Sequence, residues 1–128
     1  MRLTTAFFAN HVDVVDQMLN VSGGFWKTTT VAANSSSFRC CAVVLVDTSA
    51  DDVGQQFALH INAEGPHGTI QAPAFSHEFT LDGPTTFMCL TSLVLPIDPG
   101  GGRHVYNFRV GGRHDRVDVP LAVRVALG

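Results

Sequence analysis

The clearest pattern of apolar and polar positions lies near the carboxyl end, between Arg103 and Leu127. Tyr106, Phe108 and Val110 alternate with Val105, Asn107 and Arg109. Val117, Val119, Leu121, Val123, Val125 and Leu127 alternate with Asp118, Pro120, Ala122, Arg124 and Ala126. A period of two puts successive side chains on opposite faces of an extended chain, so each run predicts a strand with one buried face. Gly111-Gly112 between the runs marks a β-hairpin. A tight turn there sets Asp115 opposite Phe108 on the apolar face, which desolvation penalises. A longer loop, Gly111 to Arg116, pairs Val110 with Val117, Phe108 with Val119 and Tyr106 with Leu121, and sets Arg109 against Asp118 as a cross-strand ion pair. The longer loop is the expectation. Pro120 has no N–H to donate, which places its strand at an edge or a bulge.

The rest of the chain continues in extended runs separated by turn chemistry. Leu3 to Val12 reads as a strand, and Val12 to Leu19 as either its continuation or a short helical turn. Asn20 to Gly24 (N-V-S-G-G) reads as a turn, followed by Phe25-Trp26 and a threonine-rich strand to Val31. Phe38 to Asp47 is apolar on both faces, which predicts a central strand covered on both sides. Gln55 to Ala63 places Phe57, Leu59 and Ile61 inside and Gln56, His60 and Asn62 outside. Thr69 to Gln71 is a short edge piece, Phe75 to Leu81 an alternating strand, and Thr85 to Ile97 a second doubly apolar one. About eight strands at spacings of roughly 8–12 residues, with Gly and Pro between them, predict an all-β antiparallel sandwich.

Composition narrows the class. The chain has 128 residues, 45% of them hydrophobic and 15% charged, which predicts one compact domain rather than a disordered chain. The formal net charge is −3, with Lys27 the single lysine among eight basic residues, so no general attraction to nucleic acid or anionic membrane is expected. No apolar run has the length of a membrane helix, and the apolar part of the first residues is too short and threonine-rich for a signal peptide. The expectation is cytoplasmic. An odd set of three cysteines, Cys40, Cys41 and Cys89, is not a disulfide framework. Neighbouring strand residues face opposite ways, so Cys40 and Cys41 cannot join one cluster; buried free thiols are expected, and a Cys89 bridge to either stays open.

Four stretches resemble a family of short bacterial β-sandwich proteins catalogued only as a domain of unknown function. They are L-T-T-A-F-F-A-N-H-V-D-V-V-D near the amino end, L-N-V-S-G-G-F-W, L-V-L-P, and G-G-G-R-H-V-Y-N-F-R-V-G-G. The resemblance implies a sandwich of immunoglobulin-like type. It carries no catalytic residues, and R-H-D-R replaces the family's shorter turn in the last hairpin.

Candidate chemistry is sparse. None of the six histidines, His11, His60, His67, His77, His104 and His114, has a metal-ligand spacing, and C-x-x-C is absent. His77, among Phe75 and Phe79, reads as a hydrogen-bonded core histidine rather than a ligand. His60 and Glu78 both point outward and are candidates to meet across strands, without a third partner. Asp47, Asp51 and Asp52 form an acidic loop with Ca²⁺-type ligands, but their spacing matches no defined calcium loop, and a solvated loop is favoured. There is no G-x-S-x-G, and Gly100-Gly101-Gly102 opens no helix that would cradle a phosphate. The two N-x-S sequons, at Asn20 and Asn34, matter only in a secreted chain.

Arg103, Arg109, Arg113, Arg116 and Arg124, with His104 and His114, concentrate basic groups in the last quarter of the chain. Asp115 and Asp118 dilute them, so a self-paired face is favoured over a nucleic-acid surface. Only one of Phe25 and Trp26 can face a given core, so the other covers a sheet edge or contacts a partner; the core reading is favoured, because a sandwich corner can bury both. The expectation is a non-enzymatic module, without a cofactor or resident metal, acting through protein contact and forming a homodimer. Its speculative contact residues are Phe25, Trp26, Arg113, His114 and Arg116. The alternative is a sandwich binding a small ligand or Ca²⁺ through the Asp47–Asp52 loop or the Arg-rich hairpin loop.

Overall fold

The structure, a computed structural model, describes residues 1–71, 75–110 and 116–126. Among the described residues ten strands run in chain order: β1 (Arg2–Val15), β2 (Met18–Gly24), β3 (Thr28–Val31), β4 (Ser37–Asp47), β5 (Gln56–Gly65), β6 (Gly68–Thr69), β7 (Phe75–Thr80), β8 (Phe87–Pro96), β9 (Gly102–Val110) and β10 (Arg116–Val125). A 3-10 turn, Ala50–Asp52, lies between β4 and β5. The strands form two packed sheets, an all-β sandwich. One sheet has the order β2-β1-β4-β8. The other has the order β3-β10-β9-β5-β6, with β7 also paired to β5. All pairings are antiparallel except β3 with β10, which is parallel.

The first correction concerns the amino-terminal hairpin. β1 runs straight through the ambiguous segment and turns at Asp16-Gln17, both with positive φ (52° and 63°), as a two-residue hairpin turn requires. Asn20–Gly24 is therefore strand, not turn. Its pairing sets Val21 against Val12 and Leu19 against Val14, and apolar cross-strand pairs of this kind outweigh the local preference of Asn and Ser for turns.

The second correction is the register of the β9–β10 hairpin. The period-two reading places the faces correctly, since Tyr106, Phe108, Val110, Val119, Leu121 and Val123 are all buried. Yet Val117 stands opposite Phe108, Val119 opposite Tyr106 and Leu121 opposite His104. Relative to the expected pairing, β10 has slipped by two residues. Such a slip returns every side chain to its own face, so hydrophobic pattern cannot distinguish the two registers. The observed one brings Val123 opposite Gly102 and lets the Gly101 backbone lie so close to Val123 that an added Cβ would stand 2.8 Å from its carbonyl oxygen. Arg109 consequently faces Arg116 rather than Asp118, and Asp118 pairs with Arg116 on its own strand at 3.3 Å. Pro120 behaves as expected: β3 joins β10 only from Ala122 onward, which leaves Pro120 on an open edge.

Between the sheets lies one large apolar cluster centred on aromatic rings. Phe8, fully buried, has Trp26, Phe38, Tyr106 and Phe108 within 5.5–6.1 Å between centroids. Truncating such a ring to alanine costs about 3–5 kcal/mol. Tyr106 carries its hydroxyl into the interior and donates to the Pro96 carbonyl at 2.8 Å, and burial pushes its phenol well above the ordinary range. His104 belongs to this interior and not to a basic surface: it is fully buried. Its Nε2 accepts from the Asp98 N–H at 2.9 Å, and its Nδ1 lies 3.0 Å from the Gly102 carbonyl, which assigns the ring proton to Nδ1.

Candidate functional site

The Gly23–Trp26 corner separates the two adjacent aromatics. Gly23 has φ of 61° and Phe25 φ of 60°. The Phe25 N–H donates to the Phe8 carbonyl at 2.9 Å, and the Trp26 Nε1–H returns to the Gly23 carbonyl at 2.7 Å. With the backbone turned this way, Trp26 packs on Phe8 and Phe38 in the main core. Phe25 is thrown to the opposite side, 65% exposed, with its ring stacked on Phe7 at 3.9 Å and 16°. A bulky residue in the left-handed region is an outlier, since a glycine would sit there without strain.

Phe25 sits on the outer face of the four-stranded sheet, which is apolar at its centre. Phe7, Ala9, Val12 and Val43 are buried there, with Leu19, Cys41, Leu45, Phe87 and Cys89 partly buried around them. The expectation that β4 is covered on both sides is corrected here. Its inner positions, Phe38, Cys40, Ala42, Val44 and Val46, meet the second sheet, whereas no described strand lies over Cys41, Val43 and Leu45. Among the described residues their shielding comes from neighbours such as Phe7, Leu19, Phe87 and Cys89. Along this outer row β4 carries exposed Arg39, after Ser37, near one end and exposed Asp47 at the other. Arg2 stands opposite Asp47 in the β1–β4 register.

The three cysteines are free. Cys40 faces the main core, where burial, reinforced by Cys41, pushes its thiol up to about 12. Cys41 and Cys89 share the outer apolar face, Cys89 opposite Val43 on β8.

The acidic loop does not converge. Asp47 closes β4 and Asp51 is exposed. Asp52 turns inward, where one carboxylate oxygen lies 2.9 Å from the Met1 amine and the other accepts from the Ser49 N–H at 2.8 Å and the Ser49 hydroxyl at 3.2 Å. The Met1 amine first, and Ser49 next, hold the Asp52 carboxyl below its ordinary range. Among the described residues no group of three or more His, Cys, Asp or Glu side chains is placed to hold a metal ion.

His77 is also corrected. It is exposed on β7 and stacks on Phe79 at 6.2 Å rather than entering the core, because β7 is an edge strand whose Phe75 and Phe79 are themselves only half-buried. His60 and Glu78 do not meet: His60 pairs with Ser76 in register, and Glu78, opposite Ala58, accepts from the Gln56 amide at 3.2 Å. Of the basic hairpin, Arg116 is held by Asp118, while Arg113 and His114 lie outside the described residues. Among the described residues no helix is long and apolar enough to cross a membrane.

The favoured core place for both aromatics is corrected at Phe25, which is exposed, and the sequence reading missed the apolar face beneath it. The signal was present in the odd positions of β4, Cys41, Val43 and Leu45, and in Phe7, which stands opposite Val43. No protein-family model and no curated protein matches the chain.

Proposed function

We propose that this chain is a non-enzymatic sandwich module of immunoglobulin-like type that acts through protein contact, pairing with a second copy of itself through the outer face of the four-stranded sheet. The observation that carries the reading is Phe25, an exposed and conformationally strained aromatic stacked on Phe7 toward the β2 edge of an apolar sheet face that no described strand covers. Large aromatics in such positions are the usual anchors of protein interfaces. A second copy is favoured over another partner by the charge order along β4. The outer row runs Arg39, Cys41, Val43, Leu45, Asp47, a cation and an anion with apolar residues between them. Two copies stacked face to face with their β4 strands antiparallel bring Arg39 of each over Asp47 of the other, a self-complementary arrangement suited to a two-fold interface. Arg2, opposite Asp47, partly offsets the negative charge at that end, so the pairing rests on Asp47 reaching Arg39 directly.

Two features support the immunoglobulin-like reading. With β1, β4, β5, β8, β9 and β10 taken as strands A, B, C, E, F and G, the first sheet has the order A-B-E and the second C-F-G. Tyr106 on β9, bonded back to the Pro96 carbonyl, has the character of the tyrosine corner of such folds.

Sedimentation equilibrium across the micromolar range tests the pairing. A reversible dimer is expected, weakened in Arg39→Asp and in Asp47→Arg and restored in the double reversal. A monomer throughout that range, or a dimer indifferent to all three variants, overturns the proposal.

A further inference from the structure

The outer face of the six-stranded sheet has the opposite chemistry. A cavity of about 200 Å³ opens there, lined by Asn62 and Glu64 from β5, Thr69 from β6, Asn107 and Arg109 from β9 and Arg116 from β10. The register places these groups deliberately close. Asn62 stands directly opposite Asn107, and Arg109 directly opposite Arg116. Like charges opposed across a ladder repel unless an anion lies between them. Arg116 has Asp118 at 3.3 Å. Arg109 makes no ion pair among the described residues.

One rung further along, Asn107 is 94% buried, its residue being 6% exposed. Its Nδ2 approaches Glu64 Oε1 at 3.5 Å, the amide orientation assigned on the ground that the reverse sets an oxygen toward a carboxylate. Its Oδ1 is buried and has no hydrogen-bond partner among the described residues. A buried acceptor in that condition is rare and calls for a donor.

The cavity therefore asks for two things at once. At the arginine rung it offers guanidinium donors to an anion, which they hold through charge-assisted hydrogen bonds. At the asparagine rung it offers two acceptors, Asn107 Oδ1 and the Glu64 carboxylate, to a donor, and the negative charge of Glu64 favours a cationic one. Residues two apart along a strand are separated by roughly 7 Å, which is the spacing between the two demands. We infer that this cavity is a binding site for a small zwitterionic amino-carboxylate, with its carboxylate between Arg109 and Arg116 and its ammonium at Asn107 Oδ1 and Glu64. The site lies on the sheet opposite the pairing face and does not depend on self-association.

The test is isothermal titration calorimetry of the intact protein with γ-aminobutyrate and glycine as long and short zwitterions, and with acetate and methylammonium as the separate halves. Saturable binding of at least one zwitterion is expected, at least about tenfold tighter than either half, because both charged ends are satisfied together. Arg109→Gln should abolish binding and Glu64→Gln should weaken it about tenfold or more. Both side chains are exposed, so both variants should fold, and their thermal unfolding serves as the control. Acetate binding as tightly as the zwitterions would reduce the site to an anion spot and overturn the proposal. So would the absence of saturation by any zwitterion into the millimolar range, the result expected if water alone satisfies Asn107, or an unchanged affinity in Glu64→Gln.

Discussion

Replacing Phe25 by glycine separates the stability of one sandwich from the strength of its pairing. Phe25 is 65% exposed, so of a ring side chain burying roughly 200 Å² when fully covered, about 70 Å² already lies against Phe7. At about 25 cal/mol per Å² that contact contributes about 2 kcal/mol, and the stacked geometry adds about 1 kcal/mol. Against this, the left-handed backbone costs a non-glycine residue roughly 1–2 kcal/mol, which glycine relieves while losing about 0.5–1 kcal/mol in chain entropy. The net cost to the isolated fold is about 1–3 kcal/mol, tolerable for a domain of this size. Pairing is a different matter. The remaining ~130 Å² of each Phe25 is worth up to about 3 kcal/mol per protomer by the same coefficient. Interface area converts only in part, but a two-fold contact loses the ring twice. A loss of about 3 kcal/mol in the dimer raises Kd roughly 100-fold. Sedimentation equilibrium measures Kd, and urea unfolding at a concentration below Kd measures the monomer. A variant that pairs within about threefold of the parent refutes the role given to Phe25.

Two further perturbations address the acidic turn and the cysteines. Asp52 is held below its ordinary value of 3.8 by the Met1 amine and Ser49. The folded state therefore binds this proton less readily than the unfolded one, and the stabilisation is complete above about pH 4 and lost as pH falls through the folded value. Asp52→Asn should lower the melting temperature near neutrality and converge with the parent in acid; parallel curves down to pH 2 would count against the ion pair. With Cys40 pushed up to about 12 and buried, iodoacetamide near pH 8 should modify Cys41 before Cys40. Peptide mass spectrometry should also find Cys41 and Cys89 labelling slowed as protein concentration rises through the pairing range, with no such dependence at Cys40.

Much of the fold was legible because alternation needs only one buried face to leave its mark. Leu59 and Ile61 on β5, and Tyr106 and Phe108 on β9, were assigned inward from period alone and are fully buried. What alternation does not encode is what covers the other face. Phe38 to Asp47 is apolar at both parities, which a doubly covered strand and a strand with one sticky face satisfy equally; the structure has the second. The apolar neighbours of His77 point to burial, yet those neighbours lie on an edge strand. Proximity in sequence groups His104 with the arginines, although its parity with Tyr106 points inward. The polar cavity left no local signature. Its lining comes from four strands, and the opposition of Arg109 to Arg116 depends on a two-residue register choice that leaves the pattern of faces unchanged.

The two outer faces divide the surface into chemically incompatible halves, and this constrains how pairing and ligand binding can be related. Phe7, Val43, Leu45 and Phe87 line one face; Asn62, Glu64, Asn107, Arg109 and Arg116 line the other. Between them stands a core of packed side chains about 10 Å thick. A two-fold pair formed through the apolar face turns both polar cavities outward, away from each other and from the interface. Coupling between two sites requires contacts that differ between two states of the molecule, and the residues proposed for the two sites have no member in common. Binding of γ-aminobutyrate should therefore leave the dimer Kd unchanged. If saturating ligand instead shifts that Kd, the signal passes either across the core, where Phe8 and Phe108 meet at 6.0 Å, or along the surface through Asp118, which pairs with Arg116 and lines a cavity with Phe25.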